Sequence, residues 1–146
     1  MIKKHYLWLI LISLFIACGG KVEQVTEDTF DDGSPKMVKY YKTDGDNKIL
    51  VKETGYYPNG QKRIEGEFRN GKRHGKWFYW YENGNTWSEG TFEEGRRNGS
   101  SVNYHENGSK YVEGTYEDDI RVKIWRFYDE NGVLLKEIDY DKEQNR

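Results

Sequence analysis

A strict 24-residue period limits what this chain can fold into more than any other feature. Asn59-Gly60 returns as Asn83-Gly84, Asn107-Gly108 and Asn131-Gly132 without insertion. Glu65, Glu89, Glu113 and Glu137 keep the phase, as do Gly66, Gly90 and Gly114 and the aromatic residues Phe68, Phe92, Tyr116 and Tyr140. Such a period marks a repeat architecture, in which each unit buries its apolar surface only against its neighbours.

Each unit carries two strand signals. From Lys62 to Arg69, Ile64, Gly66 and Phe68 alternate with Arg63, Glu65, Glu67 and Arg69, the period of a pleated strand with one wet face. From Lys76 to Glu82 the run K-W-F-Y-W-Y-E is too aromatic to alternate but is rich in strand formers. Asn-Gly between such runs predicts a two-residue type I′ hairpin, whose two central residues need positive φ. Strands about every 12 residues with short turns predict an antiparallel meander. The expected fold is all-β, a single-layer twisted antiparallel sheet of stacked hairpins with about nine strands. Thr29 to Gly55 reads as a degenerate first unit, as terminal repeats often are. Ser100-Ser101 stand where the preceding unit has Lys76-Trp77, so that strand is expected to be the weakest.

The pattern Y-x-N-G-x-x-x-x-E-G-x-F-x-x-G-x-x-x-G-x-W, which runs from Tyr57 to Trp77, resembles the bacterial variant of the MORN repeat. That variant is found in proteins often labelled as an antitoxin-type repeat family. The resemblance covers Tyr56 to Tyr140, and more weakly Gly33 to Gly55. It implies a single antiparallel sheet of stacked hairpins and no catalytic residues.

Residues 1–17 read as a lipoprotein signal peptide, helical where ordered. Lys3 and Lys4 form a positive start, and Leu7 to Ile16 is an apolar run short for a permanent span. Ala17-Cys18-Gly19 resembles a lipobox, which makes Cys18 the expected lipid anchor; a plain secretory signal is the other reading. Cys18 is the only cysteine, so no intramolecular disulfide is possible. Residues 18–28 are expected to be a polar tether, 29–140 the repeat sheet and 141–146 a frayed tail. No helix is expected after the signal segment.

Removing residues 1–17 takes away two lysines and no acid, which moves the formal charge from −2 to −4. That balance argues against nucleic acid, which calls for a strongly basic face. With 33% charged residues and a mean hydropathy of −1.03, the chain can bury only a small core.

With two-residue turns, Tyr56 faces Arg63, Trp80 faces Trp87, Tyr104 faces Tyr111 and Tyr128 faces Leu135, all in one row on one face. Trp80, Trp87, Tyr104, Tyr111 and Tyr128 are therefore the candidate binding residues. Such a row either holds the sheet together or forms a platform for a partner or a sugar. The opposite face, with Ile64, Phe68, Trp77, Tyr79, Phe92, Val112, Tyr116, Trp125, Phe127, Ile138 and Tyr140, is expected to be the core. The glutamate ladder offers the same environment in every unit, whereas acid–base chemistry needs two different ones, so it reads as structural. His74 and His105 lack partners at metal-ligand spacing, and no nucleophile triad or phosphate loop occurs.

The resulting expectation has no catalytic residues, cofactor or metal. It is an exported protein-binding or scaffolding module of the bacterial cell envelope, periplasmic or surface-facing. Its N-terminal lipid holds it on the membrane. An antitoxin or immunity-type inhibitor of an envelope-directed toxin and a carbohydrate-binding module are the alternatives.

Overall fold

A computed structural model describes residues 21–143; the signal segment and Cys18 lie outside them, as do residues 144–146. Ten strands follow in chain order across one sheet, each hydrogen-bonded to the next. They are β1 (Val22–Thr29), β2 (Pro35–Asp44), β3 (Asn47–Tyr56), β4 (Lys62–Arg69), β5 (Lys72–Trp80), β6 (Thr86–Glu93), β7 (Arg96–Tyr104), β8 (Lys110–Glu117), β9 (Ile120–Tyr128) and β10 (Leu134–Asp139). Every pairing is antiparallel, and the single-layer meander is the expected fold. β7 forms at full length despite Ser100-Ser101.

The segment expected to be a tether is mostly strand β1. Local acidity hid it, because its partners lie on the following strands. Tyr41 donates to Glu27 at 2.7 Å, Lys36 meets Asp28 at 2.9 Å and Lys48 meets Glu23 at 2.7 Å. Val22, Val25 and Thr26 add β-branched residues. The tail also departs from expectation, since Tyr140–Glu143 form one helical turn, α1. Asp139 accepts from the backbone of Asp141 and Lys142 in the manner of an N-cap, and Lys142 closes on it at 2.8 Å.

The Asn-Gly turns are not type I′. Only their glycines have positive φ, +82° at Gly60, +88° at Gly84, +88° at Gly108 and +80° at Gly132. In each, the residue two before the asparagine pairs with the residue two after it: Tyr57 donates to Gln61 and Tyr81 to Asn85. This is a three-residue loop, a type I turn closed by a left-handed glycine with a bulge. The paired positive φ values of a type I′ turn lie at the other end of the units, at Asn70-Gly71, Glu94-Gly95 and Asp118-Asp119.

The bulge changes the register beside each turn. Tyr56 faces Lys62, Trp80 faces Thr86, Tyr104 faces Lys110 and Tyr128 faces Leu134. Arg63, Trp87, Tyr111 and Leu135 are the extra residues. Past the bulge the pairing is again the one that two-residue turns would set, with Trp77 opposite Gly90, Tyr79 opposite Ser88 and Ser101 opposite Gly114.

The core lies mainly on the expected face. Ile64, Trp77, Val112, Tyr116 and Trp125 are buried there. Trp77 packs edge-on against Phe68 and Phe92, and Trp125 against Tyr116 and Tyr140. Val38 and Thr54 are buried on the other face, where β2, β3 and β4 place Val38, Thr54 and Glu65 side by side.

Candidate functional site

The five aromatic residues expected in one row divide between the two faces. Trp80, Tyr104 and Tyr128 stay on the glutamate face. There Trp80 stacks on Phe78 with Lys62 above its ring, Tyr104 donates to Glu89 at 2.8 Å and Tyr128 to Glu113 at 2.7 Å. Trp87 turns to the core face, where its ring meets Tyr79 edge-on. Arg63, in the same bulge position, reaches over Gly55 on that face. Tyr111 occupies the corresponding place and lies against His105. A bulge puts one extra residue into the alternation, so two successive side chains share a face.

On the glutamate face the carboxylates hold the sheet. Lys62 at 2.9 Å and Lys52 at 3.1 Å meet Glu65, Lys110 meets Glu113 at 2.7 Å, and Arg126 meets Glu137 at 2.6 Å. The Lys110 ammonium and the Tyr128 hydroxyl hold the Glu113 carboxyl below its ordinary range. Burial raises Glu65, but its two lysines outweigh that and lower it overall. Burial and the neighbouring Glu89 carboxylate push the Tyr104 phenol up to about 12. Lysine and arginine partner three of the four glutamates, and tyrosine hydroxyls share the task with them.

The bulge residues are among the exposed large apolar side chains of the repeats, together with Ile120, Ile124, Val133 and Leu134. Trp87, Tyr111 and Leu135 are 46%, 48% and 66% exposed. They stand one 24-residue step apart on alternate strands β6, β8 and β10.

The turns beside this row are tied to one another. Asn59, Asn83 and Asn107 each cap their own turn through Oδ1 and donate through Nδ2 to a carbonyl of the next turn, whereas Asp129 caps the last described turn. Asn59 reaches Glu82 at 2.8 Å, Asn83 reaches Glu106 at 3.2 Å and Asn107 reaches Glu130 at 2.9 Å. Tyr57 and Tyr81 donate to the carbonyls of Trp80 and Tyr104, and His105 donates Nε2–H to Tyr128. His105 is therefore a turn staple, and His74 lies within β5.

A second row escaped the sequence reading. Arg73, Arg97 and Arg121 recur in phase over the core face. Arg73 lies 4.0 Å above the Trp77 ring and Arg121 4.5 Å above that of Trp125. Arg97 has Ser101 in place of that tryptophan and leans over Tyr116 at 5.2 Å. Beside Ser101 a cleft of about 330 Å³ opens, with Trp87, Phe92, Tyr116 and Trp125 among its walls. The arginine phase and the Trp-to-Ser exchange are both legible once the units are aligned.

No curated protein matches the chain as a relative. The model of the MORN repeat variant family matches residues 51–70, 73–94, 97–118 and 121–142, four consecutive units whose bounds follow the hairpins described above. These matches span more than half of the sequence, and the chain belongs to the MORN repeat variant family.

Proposed function

We propose that this protein is an exported, lipid-anchored module that binds a protein partner in the bacterial envelope. A repeat sheet of this family is consistent with a protein-binding module. The observation that carries the reading is the bulge row. Trp87, Tyr111 and Leu135 repeat in phase on an open sheet while remaining about half or more exposed. Exposed aromatic and large aliphatic side chains that recur in a row mark interaction surfaces. Trp80, Tyr104 and Tyr128, whose rings and hydroxyls serve the glutamate face, are assigned to stability.

The lipid anchor at Cys18 is supported by Lys3 and Lys4, the short apolar run and Ala17-Cys18. An immunity-type role is the special case in which the partner is an envelope-directed toxin. A sugar platform of five rings loses its basis, because the rings divide between two faces.

Affinity purification from detergent-solubilised envelopes tests the proposal. A Tyr111→Ser, Leu135→Ser double variant is expected to keep its melting temperature within a few degrees and lose the partner, while Tyr104→Phe keeps it. Equal recovery by wild type and the double variant would overturn the assignment of the row.

A further inference from the structure

Along the core face, one cross-strand row reads Gly66, Trp77, Gly90, Ser101, Gly114, Trp125. In two of its three units an indole lies flat on the preceding glycine. A Cβ built on Gly66 would fall within the Trp77 ring, and one on Gly114 within that of Trp125. In the middle unit the corresponding residue is Ser101. A Cβ on Gly90 would meet nothing nearer than the Ser101 hydroxyl at 3.7 Å. Three small residues in succession thus leave open the slot that an indole fills on either side.

The fittings of that slot remain in place. Trp77 Nε1–H donates to the carbonyl of Glu67 at 3.1 Å, and Trp125 Nε1–H to that of Thr115 at 3.2 Å. The carbonyl in the same phase belongs to Thr91, which lines the cleft. An arginine caps each indole, and Arg97 is the one in phase here. Arg73 and Arg97 donate to tyrosine hydroxyls, at 2.8 and 3.3 Å, so neither charge is neutralised by that contact. The volume of about 330 Å³ lies at the small end of ligand sites, which run from roughly 300 to 1,000 Å³.

We propose that the cleft beside Ser101 binds an indole ring that carries or adjoins a negatively charged group. The ring lies on Gly90 under Arg97, its N–H meets the Thr91 carbonyl, and the anion meets the arginine rim. Guanidinium stacking on an aromatic face and charge-assisted hydrogen bonding to an anion use the same side chain without conflict. The ring can come from a free indole acid or from a tryptophan beside an acidic residue in a partner chain. Only the second source rests on the protein-binding reading above.

Ligand-observed NMR and calorimetry on the detergent-solubilised full chain test this. The probes are indole-3-acetate, a Gly-Asp-Trp-Asp-Gly peptide and, as the cationic control, tryptamine. At least one anionic probe is expected to bind, with tryptamine weaker by about tenfold or more. Ser101→Trp is expected to abolish probe binding and raise the melting temperature, because it supplies the ring from within. Arg97→Gln, with folding checked by its melting temperature because Arg97 also leans over Tyr116, should weaken the anionic probe by about tenfold. The peptide binding alone assigns a partner's side chain, and the free acid binding alone assigns a small molecule; either supports the site. Binding of neither anionic probe, binding unaltered by Ser101→Trp, or tryptamine binding as well as indole-3-acetate would each overturn it. Tyr111→Ser, Leu135→Ser leaves the cleft intact and should bind the probes normally, which separates failure of the cleft from failure of the exposed row.

Discussion

Trp77 is fully buried because Gly66 has no side chain. In a one-layer sheet an indole has no second layer to sink into. It buries itself by lying on backbone, with Phe68 and Phe92 at its edges and Arg73 above. Trp77→Ala removes the largest fully buried side chain and should cost about 3–5 kcal/mol in urea unfolding. Trp80→Ser, on the wetter face, should cost clearly less; the reverse order would invert the assignment of faces. Tyr104 gives a second test at this scale. Its phenol ionises near 12 rather than near 10, so the neutral form is favoured by folding. The associated stability is complete below pH 10 and lost as pH rises toward 12. Burial or a nearby carboxylate also raises Tyr41, Tyr56, Tyr81 and Tyr128, so absorbance at 295 nm should show a late-titrating fraction that shrinks by one tyrosine in Tyr104→Phe; an unchanged titration would remove Tyr104 from that role.

The hairpin is the element that repeats, and its asparagine works in two directions. Oδ1 closes the turn while Nδ2 reaches the next one, a double task that aspartate cannot perform because a carboxylate only accepts. Asn83→Asp keeps the cap but loses the bond to Glu106, which should cost about 1 kcal/mol. Asn131 stands in the last described turn with no following one, so Asn131→Asp should be near neutral in the same urea titration. Equal costs would show that the ladder between turns contributes nothing. The hairpins also show how far the sequence could be read. The 24-residue period, the meander and the pairs Trp77–Gly90 and Ser101–Gly114 were legible, because they depend on periodicity and on the register away from the turns. The turn type was not, since Asn-Gly suits both a two-residue type I′ loop and a three-residue loop with a bulge. That single residue moved Trp87 and Tyr111 away from Trp80 and Tyr104, as a one-residue slip moves side chains between faces. β1 was hidden for another reason: its glutamates look like a solvated tether until the lysines of β2 and β3 are set beside them.

At the scale of the molecule, each hairpin touches only its neighbours, so stability is close to a sum over units and a binding face can change one unit at a time. The middle unit differs from its neighbours in this way, with Ser101 in the phase of Trp77 and Trp125. Delivery is a separate property, which we propose for the N-terminal segment. Cys18→Ser is expected to accumulate as an unlipidated precursor, seen as a heavier band in labelled cells. Normal cleavage with a free Cys18 thiol would contradict the anchor. In the proposed mode of binding, the bulge row on the core face meets the partner and the glutamate face does not. Photo-crosslinking in intact cells measures this directly, with a benzophenone amino acid placed at Tyr111 in one strain and at Tyr104 in another. The two sites lie on adjacent strands and opposite faces, and the folding of each variant is checked by its melting temperature. A discrete adduct from Tyr111 and none from Tyr104 is the predicted result; an adduct from Tyr104 alone, or equal adducts from both, would contradict it.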